Sequence, residues 1–232
     1  MLKDIALHVN NKLLFKGVNF TPTKNKWSVI LGKSGVGKTT LIRILAGLET
    51  FGDVTGKISA PTPIAWMGQK DLLFEWKSIL DNVLLPISLI NKPSLSDIKM
   101  AKDFLNKVGL NDKENVYPNT LSGGQRQRVA LVRTLMKKAD VVLMDEPFSA
   151  LDSITKRQCQ DLFYTMLNDK TVIVIRHDVN EAIASSDDVY VMTSRAPYLE
   201  KMGTLKTPMP RTYEDSEVLK LSKKVWRVLE ND

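Results

Sequence analysis

Cysteine is nearly missing from this chain of 232 residues: Cys159 stands alone, so no internal disulfide can form, which fits a reducing compartment. Nothing beside Cys159 marks it as a nucleophile, and it is read as inert. Long apolar runs are missing as well. Stretches such as Val141–Met144 and Val172–Ile175 fall far short of the roughly 20 residues that a membrane-spanning helix needs, so a soluble chain is expected. The opening MLKDIALHVNNK places Asp4, His8 and Asn10 where an export signal needs continuous apolar sequence, and no such signal is visible. Internal repeats and low-complexity tracts are absent too. A strong excess of one charge is lacking: 33 Lys+Arg against 26 Asp+Glu give +7, which suggests anionic partners only weakly. With 43% apolar and 25% charged residues, disordered, collagen-like and coiled-coil classes are excluded. The length allows two small domains or one α/β domain with an insertion.

What is present is a set of β-rich runs that break into polar or glycine-rich turns. Trp27–Leu31 runs into Gly32, Ile64–Met67 into Gly68 and Gln69, Val141–Met144 into Asp145, Glu146 and Pro147, and Thr171–Ile175 into Arg176, His177 and Asp178. Val189–Met192 reads as another strand. Runs of Val, Ile and Leu without polar alternation suit strands covered by helices on both faces. A doubly wound, parallel α/β core is therefore expected, with ligands gathering at the carboxyl ends of its strands.

Between Gln69 and Val141 the pattern turns helical. Ser94 and Asp97 have capping-box spacing, Ile98, Ala101, Phe104, Leu105 and Val108 recur at helical intervals, and Gly109 suits the stop. Residues 72–119 are read as an inserted helical subdomain, broken by Pro86, Pro93 and Pro118. Residues 1–71 and 120–205 then form the core. Beyond a loop closed by Pro208 and Pro210, Val218, Leu221, Val225 and Val228 line one face of a final helix within 206–232, with Lys220, Lys223, Lys224 and Arg227 elsewhere on it. Core packing with a solvated face is favoured there over membrane-surface binding.

Gly32, Lys33, Ser34, Gly35, Val36, Gly37, Lys38 and Thr39 match G-x-x-x-x-G-K-[ST] between a strand and a helix that opens Thr40-Leu41-Ile42. Glycines let such a loop curl its N–H groups into one concavity, the helix adds its positive end, and Lys38 reaches the β- and γ-phosphates. Thr39 would offer a hydroxyl to Mg²⁺. A dinucleotide fingerprint would need glycine where Thr40 stands. Asp145 and Glu146 end a neighbouring strand, which suits Asp145 to the metal shell and Glu146 to general base. Gln69 and His177, each just past another strand, can reach the same edge, although either alone reads as structural.

A second anion-binding start follows. Ser122 and Gln125 have capping-box spacing around Gly123 and Gly124, while Val129, Val132, Leu135 and Met136 share a helix face and Lys137 and Lys138 suit its end. Such a start points N–H groups outward beside the Ser122 hydroxyl, yet the chain has one phosphate loop. LSGGQRQR, then VVLMDEP, then SALD resemble the signature combination of ABC-type ATPases over nearly the whole chain.

That resemblance implies a P-loop NTPase (RecA-like) core with a mainly parallel sheet, an N-terminal antiparallel β portion and an inserted α-helical subdomain. It also implies a head-to-tail homodimer in which Ser122, Gly123, Gly124 and Gln125 of one copy close over ATP held by the other, with Asp152 at the seam. Gln69 is thereby assigned to Mg²⁺, water and communication, Glu146 to base catalysis and His177 to the γ-phosphate. The adenine-stacking aromatic of the family corresponds to a position near Val9, flanked by His8 and Asn10, while Phe15 is read as core. Arg176 and Gly68 stand where the family usually has a small hydroxyl residue and an aromatic.

The resemblance further implies the ATPase subunit of an importer at the cytoplasmic face of the cell membrane. Separate permease subunits and, indirectly, an extracytoplasmic solute-binding protein are its expected partners, and no nucleic acid is expected. Residues Gln69–Trp76 with Asp81-Asn82-Val83, and Pro208-Met209-Pro210-Arg211, are similar to the nitrate, sulfonate and taurine group, whose branch includes transporters of thiamine precursors. Glu75 replaces the usual proline before Trp76. The rivals are a soluble ABC ATPase acting on nucleic acid or ribosomes and a non-hydrolysing scaffold. The first generally carries paired ATPase domains or long coiled-coil insertions, and the second would have lost Lys38, Glu146 or His177.

Overall fold

The computed structural model describes residues 1–48, 50, 52–59, 63–196, 198–209 and 211–232; Pro210, assigned above to the loop before the last helix, lies outside them. In chain order the elements are β1 (Leu2–Val9), β2 (Lys12–Phe20), β3 (Trp27–Leu31), α1 (Lys38–Leu45), β4 (Asp53–Ile58), β5 (Ile64–Met67), α2 (Ile79–Ser88) and α3 (Leu95–Lys107). There follow α4 (Gly123–Leu135), β6 (Val141–Asp145), α5 (Ser153–Met166), β7 (Thr171–Ile175), α6 (Val179–Ala184), β8 (Asp188–Met192), β9 (Leu199–Thr204) and α7 (Ser216–Asn231). The chain divides into two compact units, Met1–Thr62 with Asp169–Asp232, and Pro63–Asn168.

In the first unit every residue of β3, β7 and β8 is buried, as strands without polar alternation require. β3 runs parallel to both β7 and β8, and β9 pairs antiparallel with β8. An antiparallel sheet in the order β2-β1-β4 forms the N-terminal portion. Asn10 and Asn11, at φ 49° and 62°, make the two-residue turn that pairs Val9 with Lys12; Asn tolerates this left-handed backbone and supplies a hairpin of the primed type. Phe15 is fully buried. Below β8, Asp188 accepts hydrogen bonds from the Thr23 and Thr204 hydroxyls at 2.6 Å and an ion pair from Lys201 at 2.7 Å. In α7, Val218, Ser222 and Val225 are the buried face.

In the second unit β5 and β6 run parallel, and α2, α3 and α4 enclose a core of Leu73, Ile79, Val83, Leu105, Val129 and Val132. Ser94 and Asp97 form the expected capping box. Gly109, at φ 73°, ends α3: the Leu110 N–H donates to the Leu105 carbonyl at 2.8 Å, the six-to-one bond of a Schellman turn. Pro86 does not break its segment but lies inside α2. It falls in the last turn, where only one ladder bond is lost, and the helix carries on to Leu89, whose N–H donates to the Leu85 carbonyl at 3.1 Å.

Candidate nucleotide site

In the first unit residues 32–39 join β3 to α1. Gly37 caps α1 at φ 107°, a conformation that side chains other than hydrogen resist, and as a glycine it makes no side-chain cap bond. The first turn also carries no acid. A helix begun this way offers its N–H groups and positive end to an anion rather than to its own cap. Lys38 is buried, and its ammonium donates to the carbonyls of Gly32 and Lys33, each at 2.8 Å. That contact folds the cation over the loop, from where a phosphate oxygen can replace either carbonyl in a stronger, charge-assisted bond.

The parallel register Ile30 to Ile175 sets Gly32 and His177 on one edge, each two residues further along. His177 is exposed between two anchored neighbours. Arg176, almost wholly buried, pairs with Glu181 at 2.5 Å, and Asp178 caps α6 by accepting the Glu181 N–H at 2.8 Å. Beside the phosphate loop, Val9, Thr39, Thr40, Arg43 and Thr50 line a cleft of about 320 Å³. Val9 thus lies next to the loop without an aromatic ring at its position. Arg43, in the last turn of α1, carries no functional signal in the sequence because a basic residue there suits any helix end.

In the second unit Met67 pairs with Met144 in parallel register. Gln69 and Glu146 therefore both stand two residues past the pair, on one edge with Asp145. The Gln69 amide donates to the Ser149 hydroxyl at 3.3 Å. Glu146 has φ 49°, a sparsely populated conformation for such a residue and one that often marks a functional position. In the sequence Ser149 is only the first residue of SALD, and its pairing with Gln69 across 80 residues has no local signal.

At the start of α4 the Ser122 hydroxyl accepts the Gln125 N–H at 3.3 Å, and the Gln125 side chain accepts the Ser122 N–H at 3.0 Å. This uses an acceptor lone pair of Ser122 and leaves its O–H hydrogen for another partner. A Cβ on Gly124 would stand 2.3 Å from Thr155 Cγ2, so glycine is what lets α4 approach α5 there. Asp152 caps α5, accepting from the amides of Thr155 at 3.0 Å and Ile154 at 3.1 Å, and these bonds hold its carboxyl below the usual range. Each unit thus gathers its own share: Gly32–Thr40 with His177 in one, and Gln69, Asp145 and Glu146 along one edge, with the Ser122–Gln125 start and Asp152 capping adjoining helices, in the other.

A phosphate loop between a parallel strand and a helix in one unit, with an acidic strand end and a second glycine-bearing helix start in the other, is the feature set of a nucleotide-hydrolysing protein of the phosphate-loop class. The pattern of the ABC transporter family matches residues 15–149, and the chain belongs to that family of ATP-binding ATPase subunits. An aliphatic sulfonates import ATP-binding protein of Rhodococcus jostii is 43% identical over 84% of this chain and 79% of its own. A formylaminopyrimidine import ATP-binding protein of Halalkalibacterium halodurans is 37% identical over 77% of this chain and 72% of its own. A solved chain described as an inward-facing metal-chelate type ABC transporter shares the fold with a TM-score of 0.68 at 24% identity, covering 87% of this chain and 83% of that one. As a member of this family the chain works with transmembrane permease partners and as a dimer of ATPase subunits. Among the described residues no helix is long and apolar enough to cross a membrane.

Proposed function

We propose that this chain hydrolyses ATP in a head-to-tail homodimer to drive an importer, and that it sits at the cytoplasmic face of the cell membrane. One observation carries the reading: a single chain holds one phosphate loop whose helix start lacks a side-chain cap and a different, self-capped helix start that keeps a hydroxyl donor in hand. The two starts are complementary rather than duplicate, so each completes the other across two copies.

In this reading Gly32, Lys33, Ser34, Gly35, Val36, Gly37, Lys38, Thr39 and Thr40 hold the triphosphate through backbone N–H groups and the Lys38 ammonium. The base lies toward Val9 and Arg43. Ser122, Gly123, Gly124 and Gln125 of the partner subunit close over the γ-phosphate, and Asp152 flanks the seam. Glu146 takes a proton from water as the water oxygen attacks the γ-phosphorus. The bond to the β-phosphate oxygen breaks, giving ADP and inorganic phosphate, while His177 steadies the γ-phosphate oxygens.

Thr39, Asp145 and Gln69 are hard oxygen donors few in number, a set that fits Mg²⁺, which keeps most of its shell for phosphates and water. When bound there it neutralises charge on the phosphate oxygens.

Residues 72–119 act as an inserted helical subdomain on a core of 1–71 and 120–205, with 206–232 as a C-terminal loop and helix. A permease helix docks near Gln69 and Trp76; Trp76 is 73% exposed. Relatives named for aliphatic sulfonates and for formylaminopyrimidine import support solutes of the nitrate, sulfonate and taurine or thiamine-precursor kind, and a solute-binding protein outside the membrane acts through the permease. Relatives named for import favour this reading over a soluble ABC ATPase acting on nucleic acid or ribosomes. The test is light scattering of Glu146→Gln with Mg-ATP. Dimers that form with ATP, and fail when Ser122→Glu is added, support the reading; dimers indifferent to either change refute it.

A further inference from the structure

The segment that follows Gln69 carries apolar side chains into solvent. Leu72 is 62% and Trp76 73% exposed, and Trp76 stacks on Phe74 with ring centroids 4.9 Å apart. Such a segment keeps one shape only if its backbone is gripped elsewhere. Leu73 enters the core of the unit. The Asn82 side chain accepts the Phe74 N–H at 2.8 Å and donates to the carbonyls of Phe74, Lys77 and Ser78 at 3.0 to 3.1 Å.

The outer half of the segment is gripped by α4. Arg126 forks onto Asp71, Nε to Oδ2 at 2.8 Å and Nη2 to Oδ1 at 2.9 Å, and Nη2 also reaches Glu75 at 2.7 Å. Two turns along the same helix face, Arg133 donates to the carbonyls of Leu72, at 2.7 Å, and Asp71. Burial works against the Asp71 carboxylate, yet the Arg126 hydrogen bonds prevail and hold its carboxyl below the ordinary value. A planar guanidinium suits this bidentate grip as a lysine would not. Arg126 is also tied to the helix start, for its N–H donates to the Ser122 carbonyl at 2.9 Å. An unbroken chain of bonds therefore runs from Ser122 through Arg126 to Asp71 and Glu75, and so to the exposed Trp76 surface.

We propose that Arg126 is a positioning residue that latches the Lys70–Lys77 segment to the start of α4, so that engagement of nucleotide at Ser122 and stiffening of the Trp76 surface are one event. Glu75 is the outer strut of the latch, and it stands where the resemblance places proline. The latch rests on the reading that Ser122–Gln125 closes over the partner's nucleotide. It adds to that reading a route by which the nucleotide's presence is felt at the surface where a permease would dock.

Hydrogen–deuterium exchange of the full chain in the Glu146→Gln background, with and without Mg-ATP, tests this by following two peptides separately, 119–127 and 70–77. With the latch intact, ATP slows exchange in both. Arg126→Gln keeps the ATP-dependent protection of 119–127 and cuts that of 70–77 by roughly 2- to 30-fold, the range in which single residues alter coupling. Arg126→Lys and Glu75→Gln, milder changes that preserve the fold, give intermediate losses at 70–77. Equal ATP-dependent protection of 70–77 in all four chains overturns the latch. Absence of ATP-dependent protection at 119–127 in the intact chain overturns the two-copy reading, and the latch with it.

Discussion

Two helices in this molecule begin at glycine-rich turns, and they begin differently. α1 opens at Gly37 in a left-handed conformation with no side-chain cap, whereas α4 opens at Ser122 inside a complete capping box with Gln125. The first start has donors but no partner of its own from a capping side chain, and a triphosphate can serve as that cap. The second start carries its own cap, and what it can lend is a hydroxyl hydrogen beside a close-packed glycine. In the proposed dimer one start binds, and the other closes on what is bound. A capped start that needed the nucleotide in order to fold could not act as a seal that opens and shuts.

That contrast can be strained from either side. The largest expected effect comes with both starts engaged: Glu146→Gln leaves ATP binding in place and lowers turnover of the assembled transporter by roughly 10² to 10⁴, the usual worth of a general base. Phosphate release measures it, and unaltered turnover would remove Glu146 from that role. Breaking the first start costs less. Lys38→Ala removes a charged donor and weakens ATP binding to a single copy by about 10- to 100-fold, which nucleotide titration reads directly. Breaking the second start leaves that affinity alone. Ser122→Ala removes a cap, so thermal unfolding should show a loss of about 0.5 to 2 kcal/mol, while single-copy ATP affinity stays at the wild-type value.

The smallest effect lies away from both starts. Burial tends to raise the Asp188 carboxyl, but hydrogen bonds from Lys201, Thr204 and Thr23 hold it below the ordinary value. Its pKa in the folded chain is thus the lower one, so its contribution is complete above about pH 4 and is lost as pH falls through the folded value. Asp188→Asn should flatten the acid limb of a plot of melting temperature against pH. A limb as steep as before would mean that other carboxylates set it.

The parts of the fold that declared themselves in the sequence are those whose physics is local. β3, β5, β6, β7 and β8 follow from unbroken β-rich runs, and the starts of α3 and α4 from Ser94 with Asp97 and Ser122 with Gln125. Pro86 does not end α2 as its residue type suggests, because a proline late in a helix forfeits a single bond rather than the helix. The N-terminal antiparallel portion is expected from the family resemblance alone: Asn10 and Asn11 announce the turn of the β1–β2 hairpin, but register shifts along β1 blur the alternation that marks strands. In the candidate site, the phosphate loop and strand-end acids were legible as motifs. The Arg126 fork on Asp71 was not, since its partners are 55 residues apart and each alone reads as a solvated charge.

The claim on which the rest stands is that one nucleotide is held by two copies, and a mixing experiment tests it most directly. Lys38→Ala and Ser122→Glu chains, each also carrying Glu146→Gln, are combined with Mg-ATP and sized by light scattering with bound nucleotide counted. Neither chain alone should close. The mixture should give a mixed dimer holding a single ATP, gripped by the intact loop of one chain and sealed by the intact Ser122 of the other. A mixture no more dimeric than its separate components would contradict the account.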